Sequence, residues 1–300
     1  AFVSLSALGE TVVDVITGGV DGSARKEMTE AIDLALIGAD VSTQQDVYTT
    51  QNHTSGAYVR NESFFLSSHA HSLTCASPWN SSGGNKKAGT AVTKRHAVLN
   101  SHYPIPVGTI VRFIPSESPF TPVDREVVQA RGIFNSAVSP DTDAWVVLFD
   151  ADLPDSITPC KIFPSNYETY LPAGSYVSSY PATKIPLLAL DQEEKGLIFE
   201  VHNIYTTLNG KPKASWRTPT DPLRSPFSED IISGDSGNPI FAVAGSELWL
   251  LSTFWWPDFG PSYGSLVPEL NAMIVTLDTL QGDLTGYTIT EGDLSSYPTY

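Results

Sequence analysis

Short apolar runs separated by turn-forming residues occupy most of this sequence. Gly and Pro each occur 22 times in the 300 residues, and Asn and Asp join them between the runs. Gly supplies the backbone conformations of tight turns, and Pro cannot donate a hydrogen bond inside a sheet. Many short runs with this punctuation predict an all-β protein, either a barrel or a sandwich. The clearest predicted strands are residues 107–114, 125–133, 145–149, 195–202, 238–244 and 247–254.

Two segments instead show the spacing of helices. After the capping candidates Asp21 and Ser23, apolar residues recur at helical intervals, which predicts a helix over residues 24–38. The same spacing returns within residues 267–277 and predicts a second helix near the C-terminus.

The acidic composition argues against nucleic acid as a partner. The net charge is −16 and the isoelectric point is about 4.6, whereas phosphate binding depends on Lys and Arg. The sequence has no run of 18 apolar residues, so we expect no membrane span. The low Lys content and the many Ser, Thr and Tyr residues favour an extracellular or secreted protein.

Residues 234–239, Gly-Asp-Ser-Gly-Asn-Pro, form the most informative motif. A serine hydroxyl becomes a good nucleophile only when a base removes its proton and donors await the resulting oxyanion. Glycine at position 234 allows a turn that directs the amides of Gly234 and Ser236 at one point. The motif resembles the nucleophile loop of chymotrypsin-like serine proteases, although Asn238 stands where that family usually has another glycine.

In that family the base lies upstream, because the catalytic residues follow the order His, Asp, Ser. Residues 93–102 resemble the family's turn, short apolar strand and catalytic histidine. This resemblance assigns the base to His102, directly after the apolar strand. His96 precedes the same strand and is interpreted as a turn residue.

The third catalytic residue should be a buried carboxylate that holds the far nitrogen of His102. Asp143 directly precedes an apolar run, as the family's aspartate precedes a buried strand. Asp141, Asp150 and Asp152 lie nearby, but none of them directly precedes such a run. The resemblance therefore implies that Asp143 completes the triad.

The resemblance covers roughly residues 85–280 and implies two six-stranded antiparallel β-barrels. We expect an N-terminal extension with one helix in residues 1–60 and the first barrel in residues 61–168. The second barrel would span residues 169–265, and a C-terminal helix and tail residues 266–300.

The implied function is that of a serine endopeptidase acting through His102, Asp143 and Ser236 and an acyl-enzyme intermediate. The amides of Gly234 and Ser236 would form the oxyanion hole, the substrate would be a peptide or protein, and no cofactor or metal is expected. The alternative is an extracellular structural or adhesive protein on the same fold, with little or only self-directed proteolysis. Its motivation is the terminal extensions, which could also mediate self-assembly.

The sequence allows several interpretations of the specificity pocket, which differ in the residue that lies at its base. Asp230 stands six residues before the nucleophile, where the Arg- and Lys-cleaving members of the family carry an aspartate. A buried carboxylate there would select a cationic side chain. A shift of one residue would place Glu229 or Ile231 there instead.

The opposite wall of the pocket depends on another segment. Ser252 resembles the serine that begins the family's substrate-binding wall. Phe254 and Trp255 follow where a glycine is common, and their rings could narrow or close the pocket.

Other expectations concern residues outside the triad. Many family members need a freed amino terminus to pair with the aspartate before the serine, but the sequence has no such cleavage site, so Asp235 must find another partner.

The N-terminal extension of residues 1–60 could be packed on the barrels, inhibit the enzyme or dock an assembly partner. Cys75 and Cys160 are either bonded or free thiols. His69 and His71 make only a weak metal motif. Glycosylation triplets begin at Asn52, Asn61 and Asn80.

Overall fold

Strands make up most of the structure, a computed structural model that describes residues 23–78, 87–133, 142–171, 184–208 and 211–299. Within these residues, fourteen strands form sheets of two, five and seven strands. The predicted mostly-β class and the C-terminal helix are confirmed. The strands are β1 (Tyr48–Asn52), β2 (Ala57–Arg60), β3 (Thr90–Ala91), β4 (His96–Asn100), β5 (Ile110–Phe113), β6 (Val123–Gly132), β7 (Ala144–Phe149), β8 (Lys161–Ile162), β9 (Pro186–Leu190), β10 (Gly196–Leu208), β11 (Lys211–Arg217), β12 (Pro239–Ala244), β13 (Glu247–Thr253) and β14 (Phe259–Pro261).

The five-stranded sheet has the antiparallel order β3-β4-β7-β6-β5. All five residues of β4 are buried, since this strand lies inside the sheet and packs on both faces. In the pairing of β4 with β7, Asn100 lies opposite Ala144. The residues that follow β4 and the residue that precedes β7 therefore meet where these two interior strands end, along one side of the sheet.

The seven-stranded sheet has the order β14-β11-β10-β9-β12-β13-β8. Its pairings are antiparallel except the last, in which β8 lies parallel to β13. Because Ile240 of β12 pairs with Ala189 of β9, the loop that leads into β12 lies beside the turn that follows β9. That turn comprises residues 191–195 and connects β9 to β10.

The strand counts differ from the predicted six and six. The described sheets have five and seven strands, partly because β8 crosses over and pairs with the edge of β13. The predicted strands 107–114 and 125–133 are shifted to β5 and β6. Residues 106–109 form a turn, in which the Thr109 amide donates to the carbonyl of Pro106 and Gly108 has a φ of 84°.

Three α-helices lie in the described residues: α1 (Ala24–Leu36), α2 (Val41–Gln44) and α3 (Val267–Gln281). The predicted cap of α1 is present, since the Ser23 side chain accepts a hydrogen bond from the Lys26 amide. The helix ends two residues earlier than predicted, before Gly38, whose φ is 75°. It packs against β9 and β12, whereas α3 packs against β6 and β7. Residues 1–22 of the predicted N-terminal extension lie outside the described residues.

Candidate active site

The structure brings His102, Asp143 and Ser236 into one hydrogen-bonded line. His102 Nε2 lies 2.9 Å from Ser236 Oγ, and His102 Nδ1 lies 2.9 and 3.0 Å from the two oxygens of Asp143. The histidine side chain is 35% exposed, whereas that of Asp143 is 1% exposed. One nitrogen of the ring thus faces an accessible hydroxyl while the other is held by a buried carboxylate.

The edge shared by β4 and β7 explains how Asp143 reaches its place. Its φ of 60° turns the chain just before β7, so that the carboxylate points back at the end of β4. Asp143 accepts hydrogen bonds from Asn100 Nδ2 at 2.5 Å, from Ser101 Oγ at 3.1 Å and from the His102 amide at 3.0 Å. The sequence reasoning missed Asn100 and Ser101. Their signal was the change from apolar to polar residues directly before His102.

The rejected candidates lie elsewhere. His96 is fully buried and its Nε2 lies 3.1 Å from Asp278 Oδ1, so it does not face Ser236. Burial lowers the pKa of His96, despite the opposing effect of Asp278. Asp150 accepts a backbone hydrogen bond from β6, and Asp152 accepts from a tyrosine hydroxyl near the C-terminus. Asp141 lies outside the described residues.

The nucleophile loop leaves two amides unused. Within residues 234–238, the amides of Asp235, Gly237 and Asn238 donate to carbonyl groups of the protein. The amides of Gly234 and Ser236 have no acceptor in the described part of the chain. Gly234 has a φ of 113°, which an L-residue rarely adopts. Two free donors beside a nucleophile are what an oxyanion hole requires.

Asp235 finds its partners in backbone amides. It is 1% exposed, and its carboxylate accepts from the amide of Gln192 at 3.0 Å and from that of Ile232 at 2.8 Å. Burial raises the pKa of Asp235, and these two hydrogen bonds oppose the rise. Among the described residues, these two backbone amides are the partners of the Asp235 carboxylate.

A cavity of about 420 Å³ opens beside His102 and Ser236. Its floor includes Phe254, which is 1% exposed and packs edge-to-face against Trp216, with ring centres 5.5 Å apart. Ile232 and Trp256 also line it and are 56% and 57% exposed, so the apolar surface continues into solvent. The remaining lining residues are Ile231, Ser233, Trp255 and Pro257.

The predicted pocket residues are distributed differently from expectation. Asp230 is exposed and does not line the cavity, and Glu229 pairs with Lys195 at 3.0 Å. Ile231 lines the cavity. Ser252 is buried and donates to a neighbouring carbonyl, outside the cavity.

No protein-family model matches the sequence, and none of the curated proteins matches it either. The functional assignment therefore depends on the geometry of these residues.

Cys75 and Cys160 are buried, free thiols in this structure. Burial, with a hydrogen bond to the neighbouring Cys75, raises the pKa of the Cys160 thiol well above its usual range, so Cys160 does not resemble an activated nucleophile. His69 Nε2 donates to a carbonyl at 2.9 Å, and His71 Nε2 lies 2.7 Å from Thr158 Oγ1. In the described ranges, no group of three or more His, Cys, Asp or Glu residues is arranged to hold a metal.

Across the described residues, no helix is both long and apolar enough to cross a membrane.

The predicted glycosylation triplets can be compared with the structure in part. The triplet at Asn80 lies outside the described residues. At Asn61 the side-chain nitrogen to which a glycan would be attached is already hydrogen-bonded, since Nδ2 donates to the carbonyls of Thr43 and Asp46. Glycosylation of Asn61 would replace one of the two Nδ2 hydrogens and so remove at least one of these hydrogen bonds.

Proposed function

We propose that this chain is a serine endopeptidase with a chymotrypsin-like arrangement of two barrels. The observation that carries the proposal is the line from Ser236 through His102 to the buried carboxylate of Asp143. The origin of these residues supports it. His102 and Asp143 come from the edge of the five-stranded sheet, whereas Ser236 comes from the loop before β12 in the seven-stranded sheet.

The geometry defines the role of each group. His102 Nε2 takes the proton from Ser236 Oγ as this oxygen attacks the carbonyl carbon of the substrate. The negative charge that develops on the carbonyl oxygen is stabilised by the amides of Gly234 and Ser236. His102 then gives the proton to the leaving amine, and the acyl-enzyme remains. Asp143 holds the proton on Nδ1 throughout and stabilises the charged imidazole.

The second half of the cycle uses the same groups. A water molecule loses a proton to His102 Nε2 as it attacks the acyl carbon. His102 then returns this proton to Ser236 Oγ as the ester bond breaks, which releases the acid and restores both side chains. Because the histidine is partly exposed, water can reach it once the amine has left.

The lining of the cavity beside Ser236 determines which substrate side chain binds next to the scissile bond. Its walls are mainly aliphatic and aromatic, and His102 is the single ionisable residue among the described residues that line it. An apolar side chain that enters this cavity is released from water, whereas a cationic side chain would lose its hydration and meet no carboxylate among the described lining residues. The cavity therefore suits Leu, Met or Phe better than Arg or Lys.

Labelling with a fluorophosphonate tests the reaction class. The wild-type protein should become labelled at Ser236, as located by peptide mapping, and should cleave peptides with an apolar residue at the scissile bond. Ser236→Ala should remove the label and lower kcat on the order of 10⁶-fold. Wild-type protein that neither labels nor cleaves would instead support the structural alternative.

A further inference from the structure

Gln192 makes two contacts with the nucleophile loop from a different part of the sheet. It lies in the turn between β9 and β10, and its side-chain Nε2 donates to the carbonyl oxygen of Ser233 at 3.1 Å. Its backbone amide donates to the carboxylate of Asp235 at 3.0 Å. The two anchors lie on either side of Gly234.

The side-chain contact fixes the orientation of one peptide group. In a trans peptide the carbonyl and the N–H point in opposite directions, because the group is planar. The carbonyl of Ser233 and the N–H of Gly234 belong to the same peptide group. A donor that holds the Ser233 carbonyl toward Gln192 therefore keeps the Gly234 N–H turned away from Gln192, with no protein acceptor among the described residues.

The Gln192 side chain also lies in close contact with Gly234. A Cβ atom built on Gly234 would lie 2.5 Å from Gln192 Oε1 and 2.8 Å from its Nε2. The amide group of the glutamine thus lies directly on the glycine, in space that any other residue at position 234 would need.

We propose that Gln192 is a positioning residue for the oxyanion hole, an inference that rests on the proposed function. It holds the Ser233–Gly234 peptide so that the Gly234 N–H stays available to the developing oxyanion. Without the side-chain donor this peptide can rotate and offer its carbonyl to the site instead. The substrate would still bind, but its transition state would lose one hydrogen bond.

Gln192→Met tests this role, since methionine keeps the length of the side chain and removes its donor. The backbone contact with Asp235 stays in the variant. Glu193→Ala is the matched control, because Glu193 lies in the same turn and its side chain is 54% exposed. Steady-state kinetics should use a peptide ester with an apolar acyl residue, with thermal unfolding to verify the fold of each variant.

For Gln192→Met we expect kcat to fall about tenfold to a hundredfold, with KM within about twofold of the wild type, since loss of one oxyanion donor acts on the transition state. The control should keep the wild-type kcat. Equal kcat in both variants would refute the role of Gln192 and leave the proposed function intact. A change in KM alone would assign Gln192 to substrate binding and also refute it. Wild-type protein without hydrolysis or labelling would refute both proposals. If the methionine variant does not fold, Gln192→Ala gives the same comparison.

Discussion

Asp143 accepts hydrogen bonds from the backbone amide and the ring nitrogen of His102 and from the side chains of Asn100 and Ser101. These contacts hold the carboxylate in place before any substrate arrives. Such preorganisation matters because His102 must face Ser236 in the tautomer that carries its proton on Nδ1, so that Nε2 is free to act as a base.

Asp143→Asn should therefore lower kcat by about 10⁴-fold with little effect on KM, because an amide at this position favours the wrong tautomer of His102. The measurement is hydrolysis of a small ester at pH 7 to 8. Asp150→Asn is a suitable control, since that carboxylate follows the opposite end of β7 and accepts a hydrogen bond from the backbone of β6. Similar losses in both variants would contradict the role given to Asp143.

Cleavage preference also belongs to single residues. The wild type should prefer apolar residues over Arg and Lys at the scissile bond, since Ile231 and not Asp230 faces the cavity. Ile231→Asp should shift the preference toward Arg and Lys by placing a carboxylate there. Asp230→Asn should leave the preference unchanged. Profiling with a peptide library measures all three proteins, and a wild-type preference for Arg that Asp230→Asn abolishes would overturn this reading of the cavity.

The turn between β9 and β10 is the element that supports the nucleophile loop. Its first residue, Asp191, is buried and accepts hydrogen bonds at 2.9 Å from the amides of Glu193 and Lys195. Burial is the main cause that raises the pKa of Asp191 from 3.8 to about 6. Nearby Asp235 also contributes to the rise.

This shift predicts a pH dependence of stability. The folded protein binds the Asp191 proton more tightly than the unfolded chain does, so this contribution is full below about pH 4 and is lost as the pH rises to about 6. Asp191→Asn keeps an acceptor and removes the titration. It should raise the free energy of unfolding at pH 7 by roughly 2 to 3 kcal/mol and flatten its slope between pH 4 and 6. Urea unfolding across this range measures both, with Glu193→Gln as control; an unchanged slope would contradict the prediction.

At the scale of the whole molecule, buried ion pairs join the N-terminal helix to the seven-stranded sheet. Arg224 donates to both oxygens of Asp33 on α1 at 2.7 Å and to Glu200 on β10 at 3.0 Å. Lys184 pairs with the other oxygen of Glu200 at 2.8 Å. The side chains of this cluster are nearly inaccessible to water. The helix α1 is therefore packed firmly against the seven-stranded sheet.

Asp33→Ala should cost about 3 to 5 kcal/mol of unfolding free energy, because it leaves the Arg224 guanidinium buried with one partner fewer. Glu30→Ala on the same helix removes only a partly exposed pair with Lys26 and should cost less than about 1 kcal/mol. Chemical denaturation of both variants makes the comparison. Equal small losses would show that α1 is held by its apolar face alone.

The sequence by itself determined the features that short segments encode. The positions of α1 and α3 follow from local chemistry, since caps and helical spacing act over a few residues. The Ser236 loop, the His102 motif and the aspartate before β7 are also short, and their resemblance to one protease family selected the three residues that the structure brings together.

Only the tertiary structure decided what surrounds them. Gln192 reaches the nucleophile loop because β9 pairs with β12, across 41 positions of the chain from Ser233. Ile231 faces the cavity in place of Asp230, and Asn100 reaches Asp143 through the register of β4 on β7. Such contacts depend on strand pairing and on the direction of a side chain within a turn. A short segment does not specify the partner in such a contact, because a change of one residue in register moves every side chain to the opposite face.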